Sequence, residues 1–446
     1  MDASIRARIL NMTSAEPTQT LLVATVGATE PLVASVLSLQ PQRILFLCSP
    51  ESKPSVDRLC QILKAMGEPL DSGRFDLVSI QDPQDLEQCV EVIYRQVSPL
   101  VEAWPARGAD FAVVADFTGG TKSMSVALGL VSRKWNCRLQ YIGGTERTQG
   151  GIGVVVSGKE LIVHRRSPWD TLGYQTAEDA AMLFDRGNSS AASFVLSAAL
   201  PKTTGPVNRA LSALRQFVDI YASWDRFDHA AASRNLKSAL ENQNHLHHFF
   251  SGGRIAAIVA AVSRHRPALA ALQESHSASW DLVRDLVSNA GRRMNEGRFD
   301  DGVARLYRAI EAAAQWRLGS EWKIDTSRVE VSKLPPALQT KWATKSASGV
   351  LKLGLQESYA VLFELGDELG VRFRSLGFWF EKPGQGASML SNRNFSILAH
   401  GFRPVEQKTA DRLMESIREL TAIEKEDLFE FPQLSISRQV RETPAQ

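Results

Sequence analysis

The fold of the first part of this chain is decided by one stretch, Asp116-Phe117-Thr118-Gly119-Gly120-Thr121-Lys122-Ser123-Met124. The apolar, β-branched residues 111–115 precede it and predict a buried strand, and residues 125–131 follow it and predict a helix packed on a sheet. Two adjacent glycines let the backbone approach a ligand, so that successive N–H groups point into one concavity. With three hydroxyls, a lysine and a helix N-terminus, the stretch favours a ligand that carries phosphates or ribose hydroxyls.

Two well-known nucleotide-binding motifs do not fit this stretch. The Gly-x-x-x-x-Gly-Lys-Ser/Thr spacing of a Walker A loop is absent, and so is the Gly-x-Gly-x-x-Gly dinucleotide fingerprint. The second absence argues against a metabolic dehydrogenase. The alternative interpretation is a tight strand-to-helix turn whose polar residues merely cap the helix.

Residues 20–165 alternate between strand and helix patterns. Predicted strands cover residues 21–26, 43–48, 75–80, 111–115 and 138–142, and predicted helices lie around 31–39, 54–66, 83–103 and 122–135. This order predicts a mostly parallel, doubly wound α/β sheet. Ligands of such sheets bind in the crevice beyond the carboxyl ends of the strands.

A second loop is expected in that crevice. It is Thr25-Val26-Gly27-Ala28-Thr29-Glu30-Pro31, which follows the first predicted strand. In the usual doubly wound order, the first and fourth strands are neighbours and their loops face one another. Residues 144–151 lead into a hairpin-like pair, 152–157 and 160–164, and either reach over the crevice or form a flexible tip.

The remainder of the chain is expected to be all-helical. Residues 166–275 predict a helical connector, with three aromatic residues at a helix junction in 221–228. His245, His247 and His248 suggest either a polar helix end or a metal site, but no acidic or thiolate partner is close in sequence. From residue 276 onward, helices are predicted at 280–294, 302–317 and 351–369, with a connection at 323–348 and a loop at 381–388.

The stretch 392–401 contains Arg393, Asn394 and His400, and its apolar spacing predicts a helix that ends near Gly401. His400 lies seven positions after Arg393, so both side chains project from one helix face, roughly 10 Å apart along the axis. An imidazolium is favoured at a helix C-terminus. The alternative interpretation is a solvated helix face that happens to carry both residues.

Composition limits the remaining possibilities. A chain of 446 residues suggests two or three domains, and its net charge of +2 means that any nucleic-acid contact depends on a local patch. The four cysteines lie far apart, without a Cys-x-x-Cys pair, and predict neither a zinc site nor a disulfide framework. The sequence predicts no signal peptide and no membrane span, and we expect a cytoplasmic protein.

The pair Thr-x-Gly-x-Thr-x-Pro and Asp-x-Thr-Gly-Gly-Thr-Lys-x-Met resembles the CRISPR-associated Rossmann fold (CARF) sensor domain, over residues 20–165. The resemblance implies a homodimer that binds a cyclic oligoadenylate, the second messenger of type III CRISPR systems, across its twofold axis. Ring size, four or six adenosines, stays open. The residues implied in binding are Thr25, Gly27, Thr29, Asp116, Thr118, Gly119, Gly120, Thr121, Lys122 and Ser123.

In this context, Arg393, Asn394 and His400 resemble the HEPN ribonuclease motif Arg-x(4–6)-His, within residues 276–446. The resemblance implies metal-independent cleavage of single-stranded RNA, in which a ribose 2′-hydroxyl attacks the adjacent phosphate. The expected order is therefore an N-terminal extension at 1–19, a CARF domain at 20–165, a helical connector at 166–275 and a HEPN domain at 276–446. No cofactor or metal is implied.

Two other functions remain open at this stage. One is a nucleotide-sensing protein that no longer cuts RNA and acts as a sink or regulator. The other is a CARF domain that degrades its own activator, with Thr29, Thr118 or Lys122 involved.

Overall fold

A computed structural model describes residues 19–104, 111–144, 160–166, 168–274, 277–342, 350–379, 390 and 402–435. These residues fall into two compact units. The sheet unit is drawn from residues 1–176 and 197–211, and the helical unit from residues 177–196 and 212–446.

The sheet unit contains a six-stranded sheet in the order β3-β2-β1-β4-β5-β6. The strands are β1 Gln19–Thr25, β2 Arg43–Cys48, β3 Phe75–Ser79, β4 Phe111–Asp116, β5 Cys137–Gly144 and β6 Glu160–Arg166. The first five are parallel, and β6 runs antiparallel to β5. The predicted mostly parallel sheet is confirmed.

Helices cover both faces of this sheet. They are α1 Thr29–Leu39, α2 Lys53–Ala65, α3 Leu86–Val92, α4 Ser98–Ala103 and α5 Lys122–Ser132, with a π-helical segment, Ile93–Val97, between α3 and α4. Alternate residues of one strand enter opposite cores: Leu21 and Val23 belong to one, and Leu22 and Ala24 to the other. Burial on both faces explains why the parallel strands are continuous apolar runs in the sequence.

Only the second strand of the hairpin expected between residues 152–157 and 160–164 lies within the described residues. Strand β6 pairs with β5, with Gly144 opposite Glu160. Residues 152–157 lie outside the described part of the chain.

Helices make up most of the chain after β6. They are α6 Pro168–Thr171, α7 Gly173–Asp185, α8 Ser189–Ala199, α9 Gly205–Trp224, α10 His229–Asn242, α11 Gly252–Glu274, α12 Trp280–Asn295, α13 Phe299–Ser320, α14 Pro336–Trp342, α15 Leu355–Glu364, α16 Glu368–Ser375 and α17 Gln407–Thr421. Two short strands pair antiparallel: β7 Val329–Glu330 lies within the predicted connection at 323–348, and β8 Val350–Leu351 lies just after it. The predicted helical second part is confirmed, with this two-stranded sheet as an exception.

One predicted helix, residues 351–369, is wrong as a single element. Gly366, at a φ of +70°, follows the end of α15, and Asp367 then caps α16 by accepting a hydrogen bond from the N–H of Leu369 at 2.9 Å. A positive φ is easily adopted by glycine and stops a right-handed helix. The sequence prediction also omitted α17, although Leu413, Ile417 and Leu420 follow helical spacing and are buried.

The C-terminal helices enclose one apolar core, to which α12, α13, α15, α16 and α17 contribute. At its centre Tyr359 is fully buried, stacks on Phe373 with ring centroids 3.7 Å apart and donates a hydrogen bond to the carbonyl of Ile310 at 3.0 Å. The phenol hydrogen bond removes the cost of burying a polar group there.

Two carboxylates, the buried Asp285 and the largely enclosed Asp225, connect α9 to α12 within the helical unit. Asp285 accepts the indole N–H of Trp224 at 2.9 Å. Asp225 accepts the Nε–H of Arg292 at 2.9 Å and also pairs with Arg293. We call this group of residues the carboxylate–arginine network.

The segment 428–435 returns to the same place. Phe429 and Phe431 pack against the ring of Trp224, with centroids 5.3 and 5.8 Å away. Farther along, the N–H of Leu434 donates to the carboxylate of Asp185 at 2.5 Å. This segment therefore covers the end of α9.

Helix α11 is long and apolar enough, by length and composition alone, to cross a membrane, which the sequence analysis did not anticipate. Core helices can meet the same criterion. Ile258, Val262 and Leu269 of α11 are buried within the chain.

Candidate functional site

Two loops meet at the carboxyl ends of β1 and β4. The first loop is residues 26–28, and the second loop is residues 117–121. Their strands are neighbours in the sheet, with Ala24 opposite Asp116. The predicted proximity of the two loops is confirmed.

Glycines allow the two loops to touch. A Cβ atom on Gly119 would lie 2.4 Å from the carbonyl oxygen of Thr25 and 2.7 Å from the nitrogen of Gly27. A Cβ on Gly27 would lie 2.6 Å from the nitrogen of Gly120, which itself has a φ of +72°. Any side chain at Gly27 or Gly119 would force the loops apart.

The hydroxyl groups predicted to face a ligand are largely used inside the protein. Thr25 Oγ1 donates to the carbonyl of Gly119 at 2.7 Å. Thr121 Oγ1 donates to the carbonyl of Pro83 and accepts the N–H of Met124, and Ser123 Oγ donates to the carbonyl of Gln84 at 2.8 Å. These bonds bring a third loop, residues 80–85, against the second one.

Asp116 and Thr118 are also occupied by protein partners. Asp116 is 2% exposed, and its carboxylate accepts the hydroxyl of Ser35 and the side-chain amide of Gln140, at 2.6 and 3.0 Å. It also accepts the N–H of Thr118 at 2.9 Å, and the Thr118 hydroxyl in turn accepts the N–H of Ile142 at 2.8 Å. Asp116 and Thr118 thus belong to the framework of the second loop.

In the described part of the chain, backbone N–H groups and one cationic side chain of this framework are left without protein partners. Within the described residues, the N–H groups of Gly119 and Gly120 have no protein partner, and Lys122 is exposed at the first position of α5. Helix α1 begins at the buried Thr29, and its N-cap, Ala28, offers no side-chain hydrogen bond to the first turn. Free N–H groups, two helix N-termini and a lysine favour an anionic ligand. Ligand contact by the predicted residues stays a prediction.

Sequence reasoning missed four residues of this region: Ser35, Gln140, Pro83 and Gln84. Pro83 and Gln84 take part through their backbone carbonyls, and the residue type does not reveal such contacts. Ser35 and Gln140 are fully buried polar side chains in apolar elements, and that contrast was the signal available for them.

The three predicted catalytic residues, Arg393, Asn394 and His400, lie outside the described residues. On either side of them, Leu390 is fully buried in the C-terminal core and the N–H of Val405 donates to Asp300 at 3.1 Å. The catalytic assignment therefore stays a prediction.

A metal site at His245, His247 and His248 finds no support. Among the described residues, no group of three His, Cys, Asp or Glu side chains is arranged to hold a metal ion. The four cysteines are free thiols, and burial raises the pKa of Cys137 to about 12.

Comparison with known proteins gives two family matches. Residues 169–261 match the family described as the Csm6 6H domain, and residues 273–424 match the Csm6 HEPN domain. Together the two matches cover more than half of the chain. The chain matches no curated protein.

Solved structures are similar to the chain to different degrees. Enterococcus italicus Csm6 bound to cyclic hexa-2′-fluoro-hexa-dAMP is similar over 92% of this chain and 96% of its own, with 12% identity and a TM-score of 0.56. Can2 from Sulfobacillus thermosulfidooxidans, in complex with cyclic tetra-adenylate, aligns over 44% of this chain and 52% of its own, with 17% identity and a TM-score of 0.23. The first similarity supports the fold, whereas the second score is too low to support an argument.

Proposed function

We propose separate functions for two parts of this chain, which belongs to the Csm6 family of CARF–HEPN ribonucleases. The protein is a cyclic-oligoadenylate-activated endoribonuclease of type III CRISPR defence. The loops of the sheet unit bind the activator, and Arg393, Asn394 and His400 cleave single-stranded RNA.

Activator binding is supported by the contact between the first and second loops. A cyclic oligoadenylate presents a phosphate at every step of its ring. The partnerless N–H groups of Gly119 and Gly120 suit phosphate oxygens, and Lys122 adds a charge-assisted contact. Because the similar Csm6 was solved with a hexameric ring, cyclic hexa-adenylate is the first ligand to test, with cyclic tetra-adenylate beside it.

The proposed cleavage needs no metal. A base takes the proton of a ribose 2′-hydroxyl while its oxygen attacks the adjacent phosphorus, and the leaving 5′-oxygen receives a proton. The products are a 2′,3′-cyclic phosphate and a 5′-hydroxyl. His400 suits proton transfer because histidine titrates near neutral pH, and Arg393 suits the charge that develops on the phosphate. Asn394 orients the phosphate or His400.

Pairing of two chains would supply a two-sided catalytic site, since one chain carries one copy of this motif. An apolar patch on the sheet unit supports a homodimer: Leu86, Tyr94, Val126 and Leu130 are 39–53% exposed. The patch lies on α3, α5 and the π-helical segment, beside the third loop, whose carbonyls accept from Thr121 and Ser123. Large exposed apolar patches often mark protein interfaces.

An RNA-cleavage assay with cyclic tetra- or hexa-adenylate tests the proposal. We expect one ring to activate cleavage by wild type, and His400→Ala to abolish cleavage while activator affinity stays unchanged. His247→Ala, which changes an exposed histidine of the connector, is the matched control and should cleave normally. Wild-type cleavage by His400→Ala would contradict the catalytic assignment, and activator binding without any cleavage would favour a sink or regulator.

A further inference from the structure

Asp116 stands at the carboxyl end of β4, at the edge where ligands of parallel sheets bind, but it does not face outward. Its residue exposure is 2%, and the two side chains on its Oδ2 atom, Ser35 and Gln140, are fully buried. All of the hydrogen-bond partners that the described residues give this carboxylate are neutral. Protein groups therefore enclose the carboxylate of Asp116 and separate it from a ligand in the crevice.

The three side chains form a closed ring of hydrogen bonds. The Ser35 hydroxyl donates to Asp116 at 2.6 Å and accepts an N–H of Gln140 at 2.7 Å, while the Gln140 amide also donates to Asp116 at 3.0 Å. The direction of each hydrogen bond in this ring is fixed, because a carboxylate can only accept. Such buried rings fix a single side-chain arrangement when every member is satisfied.

The other carboxylate oxygen, Oδ1, connects the ring to the second loop. It accepts both the N–H and the hydroxyl of Thr118, and Thr118 Oγ1 accepts the N–H of Ile142 in β5. Ser35 lies on α1, the helix that begins directly after the first loop. One carboxylate thus connects α1, the second loop and β5, which are three elements around the crevice.

We propose that Asp116, Ser35 and Gln140 are positioning residues of the activator site, and that Asp116 does not contact the cyclic oligoadenylate. The ring fixes the distance between the first and second loops. At this distance, the N–H groups of Gly119 and Gly120 remain available to a phosphate. This inference rests on the proposed function, since it concerns the same activator.

A swap of the hydrogen-bonding groups tests the inference. In Asp116→Asn, an NH₂ group takes the place of Oδ2 and faces the NH₂ group of Gln140, so two donors oppose each other. Adding Gln140→Glu supplies a carboxylate that can accept from the amide introduced at position 116 and from the Ser35 hydroxyl, with the net charge of wild type restored. Asp76→Asn, which alters a half-exposed aspartate paired with Arg43 on β2, is the matched control.

The measurements are the activator concentration for half-maximal RNA cleavage and the maximal cleavage rate. We expect Asp116→Asn to raise that concentration at least about tenfold, with the maximal rate retained at saturating activator. The double variant should return to within about threefold of wild type. Loss of ligand contact would not be rescued this way, so a double variant as impaired as the single one overturns the inference.

Two further arms separate the possible failures. If wild type neither binds nor responds to cyclic tetra- or hexa-adenylate, the proposed activator site is wrong and this role of Asp116 with it. If wild type responds and Asp116→Asn behaves like Asp76→Asn, only the positioning role is overturned. Should Asp116→Asn fold poorly, Ser35→Ala removes one bond of the ring, and we expect a shift of about threefold to tenfold in the same direction.

Discussion

Each unit of this molecule contains a carboxylate with little solvent exposure, and the two are stabilised in different ways. In the sheet unit, Asp116 is surrounded by neutral donors from Ser35, Gln140 and Thr118. In the helical unit, Asp225 receives the guanidinium groups of two arginines, with side chains 9% and 13% exposed. Loss of a partner removes hydrogen bonds in the first case, whereas in the second it leaves an enclosed charge with less compensation.

The two environments correspond to the different elements that each carboxylate connects. Neutral donors around Asp116 set the geometry of the loops without placing a cation beneath them, so that the positive groups of the activator site remain at its surface. The carboxylate–arginine network instead fastens α9 to α12 and resists separation of the connector from the C-terminal helices. The two centres should therefore respond differently to substitution.

Asp225→Ala should have the largest effect on stability. Removing this carboxylate leaves Arg292 and Arg293 buried with weaker compensation, which typically costs about 3–5 kcal/mol. Chemical denaturation followed by tryptophan fluorescence measures the free energy of unfolding. Asp228→Asn is the control, since Asp228 is exposed and caps α10, and asparagine caps helices equally well. Equal losses in the two variants would contradict the importance of the network.

Acidification should lower the free energy of unfolding of the same unit through His265. This is the next largest expected effect. Burial is the main cause that lowers the pKa of His265 to about 4, and the charges of Arg264 and Arg292 lower it further. An unfolded chain binds this proton near pH 6.5. The free energy of unfolding should therefore fall as the pH decreases from about 6.5 to about 4, by up to about 3 kcal/mol, and level off below.

Denaturation curves across this pH range test the contribution. His265→Gln, which removes the titrating ring, should flatten this part of the pH dependence, while His247→Gln, an exposed counterpart, should leave it unchanged. The same slope in all three proteins would show that another group is responsible.

Lys122→Ala addresses the sheet unit and should affect ligand affinity with little effect on stability. Lys122 is exposed, and a charge-assisted contact is worth about 1.5–3 kcal/mol, so activator affinity should fall roughly tenfold to hundredfold. Calorimetry with the activating ring measures it. Lys64→Ala is the control, because Lys64 is exposed in the last turn of α2, at the edge of the sheet opposite the loops. Unchanged affinity in Lys122→Ala would exclude this lysine from the site.

Much of the sheet unit followed from local patterns. The predicted strand at 43–48 has the bounds of β2, because a short, continuous apolar run between turn residues is typical of a strand covered on both faces. The proximity of Gly27 and Gly119 followed from strand order in doubly wound sheets.

Other features depend on contacts that no local pattern encodes. Ser35 and Gln140 lie 105 residues apart and meet at Asp116 only when the sheet has formed. The positive φ of Gly366 interrupts apolar spacing that continues from α15 into α16, so spacing alone predicted one helix. Propensity and periodicity describe neighbours along the chain, whereas these features depend on tertiary packing.

The covering of Trp224 by Phe429 and Phe431 has a consequence for synthesis on the ribosome. The indole belongs to the connector and is made early, but the two rings that cover it emerge only after α12 to α17 have been translated. A nascent chain thus carries a partly uncovered aromatic surface until those helices exist, and transiently exposed apolar surface of this kind is prone to aggregation. The core shared by the connector and the C-terminal helices is therefore complete only when Phe429 and Phe431 have packed against Trp224.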